Sequence, residues 1–179
     1  WVLDPVDGTS NFVAGIPYFA ISLALIVNGQ PVLGMTLDPV RNECFAASRG
    51  EGAFLNAERL QAKPADIDLR HAVALVDFKR LTPALKNRLM EAPPFGSQRN
   101  FGSCALEWCW MAAGRGHVYL HGGMKLWDIA PGSLILAEAG GHASTLDGED
   151  VFVPRMQSRS VIMSPSRELF AAWSNWLRG

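Results

Sequence analysis

The chain has 179 residues, 49% of them hydrophobic and 18% charged, with a formal net charge of −1. That length and apolar content suffice for one domain with a buried core and exclude an intrinsically disordered chain. A charge this close to zero offers no basic face to nucleic acid and no polybasic patch to a membrane, so neither is expected as a partner.

Three cysteines, Cys44, Cys104 and Cys109, form no CxxC pair and no zinc-finger spacing. They read as reduced thiols of a cytoplasmic protein. No basic stretch followed by an apolar run opens the chain, and no uninterrupted apolar segment reaches membrane-spanning length.

In chain order, Trp1–Leu3 reads as the end of a strand, and Phe19–Val27 as a full one. Asn28-Gly29 is a hairpin turn leading to a strand over Val32–Leu37. Glu43–Ala47 and a short hairpin over Gly52–Leu60 follow. Strands in such quick succession predict an antiparallel sheet. The middle of the chain changes character. Ala72–Val76 is a short apolar strand, and Pro83–Glu91 has helical composition with Pro93-Pro94 to stop it. Ser103 is placed to cap a helix through Ala113, on which Cys104, Trp108 and Ala112 share a face. His117–His121 reads as a strand. Asp128 is expected to cap the next helix, with Pro131 in its first turn and Gly140-Gly141 beyond its end. Glu138 is the only charge between Asp128 and Gly140, so this helix is expected to be buried on both sides. Ser160–Met163 is a last strand. Arg167–Leu177 is an amphipathic helix with Leu169, Phe170, Trp173, Trp176 and Leu177 inward. No repeat, linker or low-complexity segment interrupts residues 1–179, which predicts a single layered α+β domain.

The first eleven residues, WVLDPVDGTSN, set Asp4 and Asp7 on either side of a proline at the end of an apolar strand. Two carboxylates with the Val6 carbonyl between them suit a hard cation such as Mg²⁺. Gly8-Thr9-Ser10-Asn11 can begin a helical turn whose free N–H groups favour an anion, typically phosphate. A metal and a phosphate cradle together are what metal-assisted hydrolysis of a phosphate ester needs, with the Thr9 hydroxyl placed to orient water. Taken alone, DPVDG is equally an ordinary turn.

A second stretch bears on that choice. WVLDPVDGTSNF together with WDIAPGSLILAEAGG resembles the two signature motifs of the inositol monophosphatase family, Mg²⁺-dependent, lithium-sensitive phosphatases. GEGAFLNAERL resembles the family's Gly-Ala-Phe-Leu-Asn-Gly segment with Ala57 for glycine, and NFGSCAL its Gly-Ser/Thr-Ala segment. The resemblance spans essentially the whole chain. It implies an α/β/α/β/α sandwich, from which the N-terminal helices are missing, and a homodimer. It implies that Asp4, Asp7, Thr9 and Asp128 form the catalytic set, and that Asp4, Asp7, Asp128 and the Val6 carbonyl hold Mg²⁺. It also implies that Asp7, Gly8, Thr9, Ser10, Gly102, Ser103, Cys104 and His121 face a small-molecule phosphate ester.

Two departures qualify these expectations. Family members carry a preceding segment with a metal-binding glutamate, so this chain is expected to be the C-terminal portion of a longer enzyme, with a truncated homologue as the alternative. His121 stands where inositol-specific members have a glutamate, which puts inositol phosphate itself in question. Sugar phosphates, histidinol phosphate and 3′-phosphoadenosine 5′-phosphate stay open as substrates. A noncatalytic binding or regulatory module is the competing function, and a structural subunit dimerising through its sheet and Trp-rich surfaces a third. Lys125 reads as solvated or as a contact for substrate phosphate.

Overall fold

The computed structural model describes residues 1–62 and 66–179. Among the described residues, six strands form one sheet in the order of the chain: β1 (Val2–Asp7), β2 (Ala20–Val27), β3 (Gln30–Asp38), β4 (Glu43–Ser48), β5 (Gly52–Leu55) and β6 (Glu58–Leu60). All its pairings are antiparallel, as the closely spaced strands predict. Asn28 and Gly29 both take positive φ, 50° and 75°, which gives a hairpin turn whose twist matches the strands it joins.

β1 runs further than expected, to Asp7, with its register shifting between Asp4 and Asp7. The Asp-Pro-Val-Asp segment is therefore an irregular stretch of an edge strand. Pro5 fits there because an edge position can forgo a backbone donor. A six-residue helix, α1 (Thr9–Ala14), follows directly.

A second sheet has the order β10 (His142–Ser144), β11 (Arg159–Ser164), β9 (Val118–Met124), β7 (Val73–Asp77) and β8 (Ser97–Arg99). It is mixed: β7 runs parallel to both β8 and β9, and β11 antiparallel to β9 and β10. β8 was not expected: its Ser-Gln-Arg has no strand composition and is held by its pairing with β7. β9 continues past His121 through two glycines to Met124.

Helices α3 (Cys104–Ala112) and α4 (Leu126–Glu138) lie between the sheets, while α2 (Pro83–Glu91) and α5 (Arg167–Arg178) cover the far face of the second. Strands of that second sheet are buried on both faces. Leu75, Tyr119, Val161 and Met163 join the core around Trp108, Met111 and Ile135. Their neighbours Ala74, Val76, Val118, Leu120 and Ile162 pack on Leu89, Leu169 and Trp173 of the outer helices. Apolar residues in unbroken runs are the signature of strands covered on both sides.

α4 approaches the first sheet closely because the inward positions there are small: Ala20, Ser22, Ala24, Gly34 and Ala47. A Cβ on Gly34 would lie 2.8 Å from the Pro131 carbonyl oxygen. Pro131 falls inside α4 and not in its first turn, because the helix starts at Leu126 with Lys125 as its cap. Proline has no N–H to give the carbonyl four residues earlier. That carbonyl, on Trp127, accepts the Ser22 hydroxyl at 3.2 Å instead. Asp128 is correspondingly not the cap expected. It is the third helical residue, and its Oδ2 reaches back to accept the Lys125 amide at 3.0 Å.

The layers among the described residues are thus sheet, helices, sheet, helices. The outer face of the first sheet carries Leu3 and Ile21, with Leu23, Leu25, Leu33 and Met35 half-buried beside them. A shallow apolar hollow of about 190 Å³ opens there between Leu33, Met35, Ala46 and Phe54.

Candidate active site

The irregularity in β1 brings Asp4 and Asp7 to the same side, and the first turn of α4 brings Asp128 to them. One oxygen from each of these three carboxylates lies within 4.8 Å of the others, the only such acidic group among the described residues. They sit in a cleft of about 670 Å³ shared with Val6, Gly8, Thr9, Ser10, Asn11, Lys79, Gly102 and Trp127.

Each carboxylate is held differently. Asp4 Oδ1 accepts the Val6 amide at 3.1 Å. Asp7 Oδ2 accepts the Ser103 hydroxyl at 2.6 Å and the Ala105 amide at 2.8 Å, so it caps the start of α3 from outside the helix. Ser103 occupies the cap position of α3 as expected, but its hydroxyl is spent on Asp7 and not on the helix. Burial raises the Asp7 pKa above its ordinary value against the pull of these two donors, and the Asp4 charge adds to it. Burial pushes Asp128 up to about 7, helped by the charges of Asp7 and Asp4. Three acids so close together, two of them strongly desolvated, are stable as carboxylates only with a positive partner. The donor set is all oxygen, with the Val6 carbonyl beside it, and so fits a hard divalent cation.

Gly8 has φ of 82°, and a Cβ there would lie 3.1 Å from the Tyr18 carbonyl and 3.2 Å from Ser103 Cβ. Only glycine joins β1 to α1 in this space. The Thr9 hydroxyl donates to the Val6 carbonyl at 3.0 Å. Asn11 Nδ2 donates to the Tyr18 and Phe101 carbonyls, both at 2.7 Å, and ties α1 to the Gly102 loop.

The cleft therefore gathers Asp4, Val6, Asp7, Gly8, Thr9, Ser10, Gly102 and Asp128 from the expected set. Ser103 is fully buried behind Asp7. The Cys104 thiol, also behind the cleft wall, has its pKa raised by burial and by the charges of Asp128, Glu107 and Asp7. His121 does not line this cleft. It is buried midway along β9, with Nε2 3.7 Å from Asp77 Oδ2 and Nδ1 accepting the Gly123 amide at 3.0 Å. Burial holds its pKa below the ordinary imidazole value, opposed by Asp77 and reinforced by Arg80 and Lys79. Lys125 caps α4 and does not line the cleft either.

Sequence reasoning missed Glu107, Trp127, Asn11 and Lys79. Glu107 is 3% exposed; its Oε1 accepts the Phe101 and Gly102 amides at 2.9 and 3.2 Å, and its Oε2 the Tyr119 hydroxyl at 2.7 Å. An acid inside the apolar run CALEWCWMAA was the available signal.

Fold and site together define a layered α+β protein with an acidic cluster built on a strand–helix junction. The model of the inositol monophosphatase family matches residues 1–175, and the chain belongs to that family. Nus factor SuhB of Pasteurella multocida (strain Pm70) is 44% identical over 155 residues, covering 83% of this chain and 57% of that protein. The chain thus spans about three fifths of the length of such relatives. Among solved structures, SaIMPase-II with 2′-AMP bound superposes with a TM-score of 0.89 at 34% identity, covering 99% of this chain and 68% of that one. Its inositol monophosphate complex gives 0.88 at 32%, covering 99% and 70%. An IMPase/NADP phosphatase complexed with Mg²⁺ and phosphate gives 0.83 at 26%, covering 98% and 64%.

Proposed function

We propose that this chain carries the catalytic cleft of a Mg²⁺-dependent phosphatase that hydrolyses a small phosphate monoester. The observation that carries this reading is the convergence of Asp4, Asp7 and Asp128 beside the first turn of α1 in one open cleft. Solved relatives with inositol monophosphate, 2′-AMP, or Mg²⁺ and phosphate bound support it.

In this reading the three carboxylates and the Val6 carbonyl hold the metal. When bound, Mg²⁺ would polarise the phosphoryl group and acidify a water. The chain's own residues do the rest. The backbone amides of Gly8, Thr9 and Ser10 receive the phosphate oxygens. The Thr9 hydroxyl, set by the Val6 carbonyl, orients the attacking water. Asp7 holds α3 and the Gly102 loop against the cleft. Ser103, Cys104 and His121 shape the site from behind its wall. The same reading makes the protein a cytoplasmic homodimer, and the exposed Phe12, Val13 and Ile16 around α1 supply an apolar surface for a second copy.

Asp4→Asn in the full-length protein is expected to abolish turnover of phosphate monoesters and weaken Mg²⁺ binding measured by calorimetry, with the circular dichroism spectrum unchanged. Normal activity in that variant removes Asp4 from the metal site. A second reading, a noncatalytic binding module, is favoured by the name Nus factor on close relatives. It gains the case if the folded wild-type protein neither binds Mg²⁺ nor hydrolyses any monoester.

A further inference from the structure

The cleft has a second wall, built by the other sheet. β7 lies between two parallel neighbours, so the chain leaves its carboxyl end by a crossover, and Lys79 on that turn lines the cleft. On the other side β9 runs into Lys125, the cap of α4, whose amide donates to Asp128 Oδ2. One buried side chain bears on both connections. It is His121, whose register partner on β7 is Asp77.

Its two ring nitrogens have different tasks. Nδ1 accepts the Gly123 amide, so it carries no hydrogen, and the neutral imidazole has its proton on Nε2. Nε2 faces Asp77 Oδ2 across 3.7 Å, too far for a direct hydrogen bond but within reach of the carboxylate charge. The other oxygen, Asp77 Oδ1, accepts the Lys79 amide at 2.7 Å and fixes the turn. That turn rests on the glycines of β9. A Cβ on Gly122 would run into the Arg80 carbonyl, and one on Gly123 would lie 2.9 Å from Arg80 Cδ and 2.7 Å from Ser158 Oγ. With so little slack, a movement of Gly123 reaches both connections. The charged groups facing the imidazole are Asp77, Lys79 and Arg80, and β11 places Val161 opposite it. A proton added to Nδ1 would meet the Gly123 N–H, donor against donor, so the charged ring cannot keep this arrangement.

On the phosphatase reading, we infer that His121 is a positioning residue: its neutral ring holds the turn after β7 and the β9–α4 connection in register, and a second proton on it lets the two walls of the cleft part.

The test uses the full-length protein with saturating Mg²⁺ and the fastest of 2′-AMP, inositol 1-phosphate and p-nitrophenyl phosphate as substrate. At pH 7.5 the ¹⁵N resonances of the His121 ring are expected to show a proton on Nε2 alone. His121→Leu gives Gly123 no acceptor and should lower kcat about tenfold or more, with KM nearly unchanged. His121→Asn, whose Oδ1 stands where Nδ1 was, should restore most of that loss. As pH falls below about 6.5, wild-type kcat should drop relative to that of His121→Asn, which has no ring to protonate; titrations elsewhere in the cleft cancel in this ratio. Asp77→Asn keeps an acceptor for Lys79 but removes the charge that favours the imidazolium, so it should move the drop to lower pH. A proton on Nδ1 at pH 7.5, equal kcat in His121→Leu and His121→Asn, or a ratio that does not change with pH overturns the inference while leaving the phosphatase reading intact. A wild type that hydrolyses no phosphate monoester overturns both.

Discussion

Glu107 is a buried acid, 3% exposed, that takes part in no ion pair among the described residues. Its carboxyl is closed in by the Phe101 and Gly102 amides and the Tyr119 hydroxyl. Burial pushes its pKa from 4.5 up to about 7, more than those three donors pull it down. In the unfolded chain the group titrates near 4.5, so between pH 4.5 and 7 the folded state holds the extra proton. Stability must then fall as pH rises through that window, by up to about 3 kcal/mol at 1.36 kcal/mol per pKa unit. Glu107→Gln keeps an acceptor for both amides and removes the titration. Its stability relative to wild type, from urea unfolding, is expected to be higher at pH 7.5 than at pH 4.5 by that order. A difference independent of pH would show that Glu107 does not titrate in this window. Since Glu107 orders the loop that brings Gly102 to the cleft, the same variant reports whether this loop tolerates a neutral brace.

At the scale of elements, the seat of α4 on the first sheet decides where Asp128 falls. Pro131 breaks one helical hydrogen bond, Ser22 replaces it, and Gly34 makes the room. Gly34→Ala places a methyl 2.8 Å from the Pro131 oxygen. Either the strand or the helix must move, at a cost of about 1–3 kcal/mol. A shift in α4 also carries Asp128 away from Asp4 and Asp7, so this variant should lose Mg²⁺ affinity as well as thermal stability. Unchanged melting temperature and metal affinity would mean that the contact relaxes freely. These contacts also show what could be read beforehand. Alternation, turn residues and the apolar run of α4 mark most elements without any tertiary information. β8 escapes because Ser97–Arg99 owes its strand conformation to β7, a partner more than twenty residues away. The start of α4 was misplaced because an Asp at a third helical position and an Asp at a cap look alike until the Lys125 amide is seen to bond back to it. The acidic cluster was legible, since Asp4 and Asp7 are neighbours in sequence and Asp128 lies in a recognisable motif. Lys79 and Glu107 were not, because their meaning comes from the crossover around β7 and from burial.

For the molecule as a whole, the two sheets are unequal. The second is covered on both faces, and its strands read as continuous apolar runs. Apart from Phe45, the first has small residues inward where α4 lies, and larger apolar residues outward: Leu23, Leu25, Leu33 and Met35. Inward, small size is demanded by the close approach of α4. Outward, leucine and methionine at every second position of adjacent strands are what a sheet carries when that face packs against something. On this face the four side chains are half-buried, so each contributes only part of the burial free energy of a core residue. Leu25→Glu combined with Met35→Lys is therefore expected to reduce binding of a fluorescent apolar dye. It should lower the unfolding free energy by about 1 kcal/mol per site, less than a substitution in the core, because both positions are half-buried. The two new charges are of opposite sign on neighbouring strands of one face and so do not repel each other. If the double variant instead unfolds, the outer face is already part of the core of this chain, and the hollow beside Met35 closes in solution.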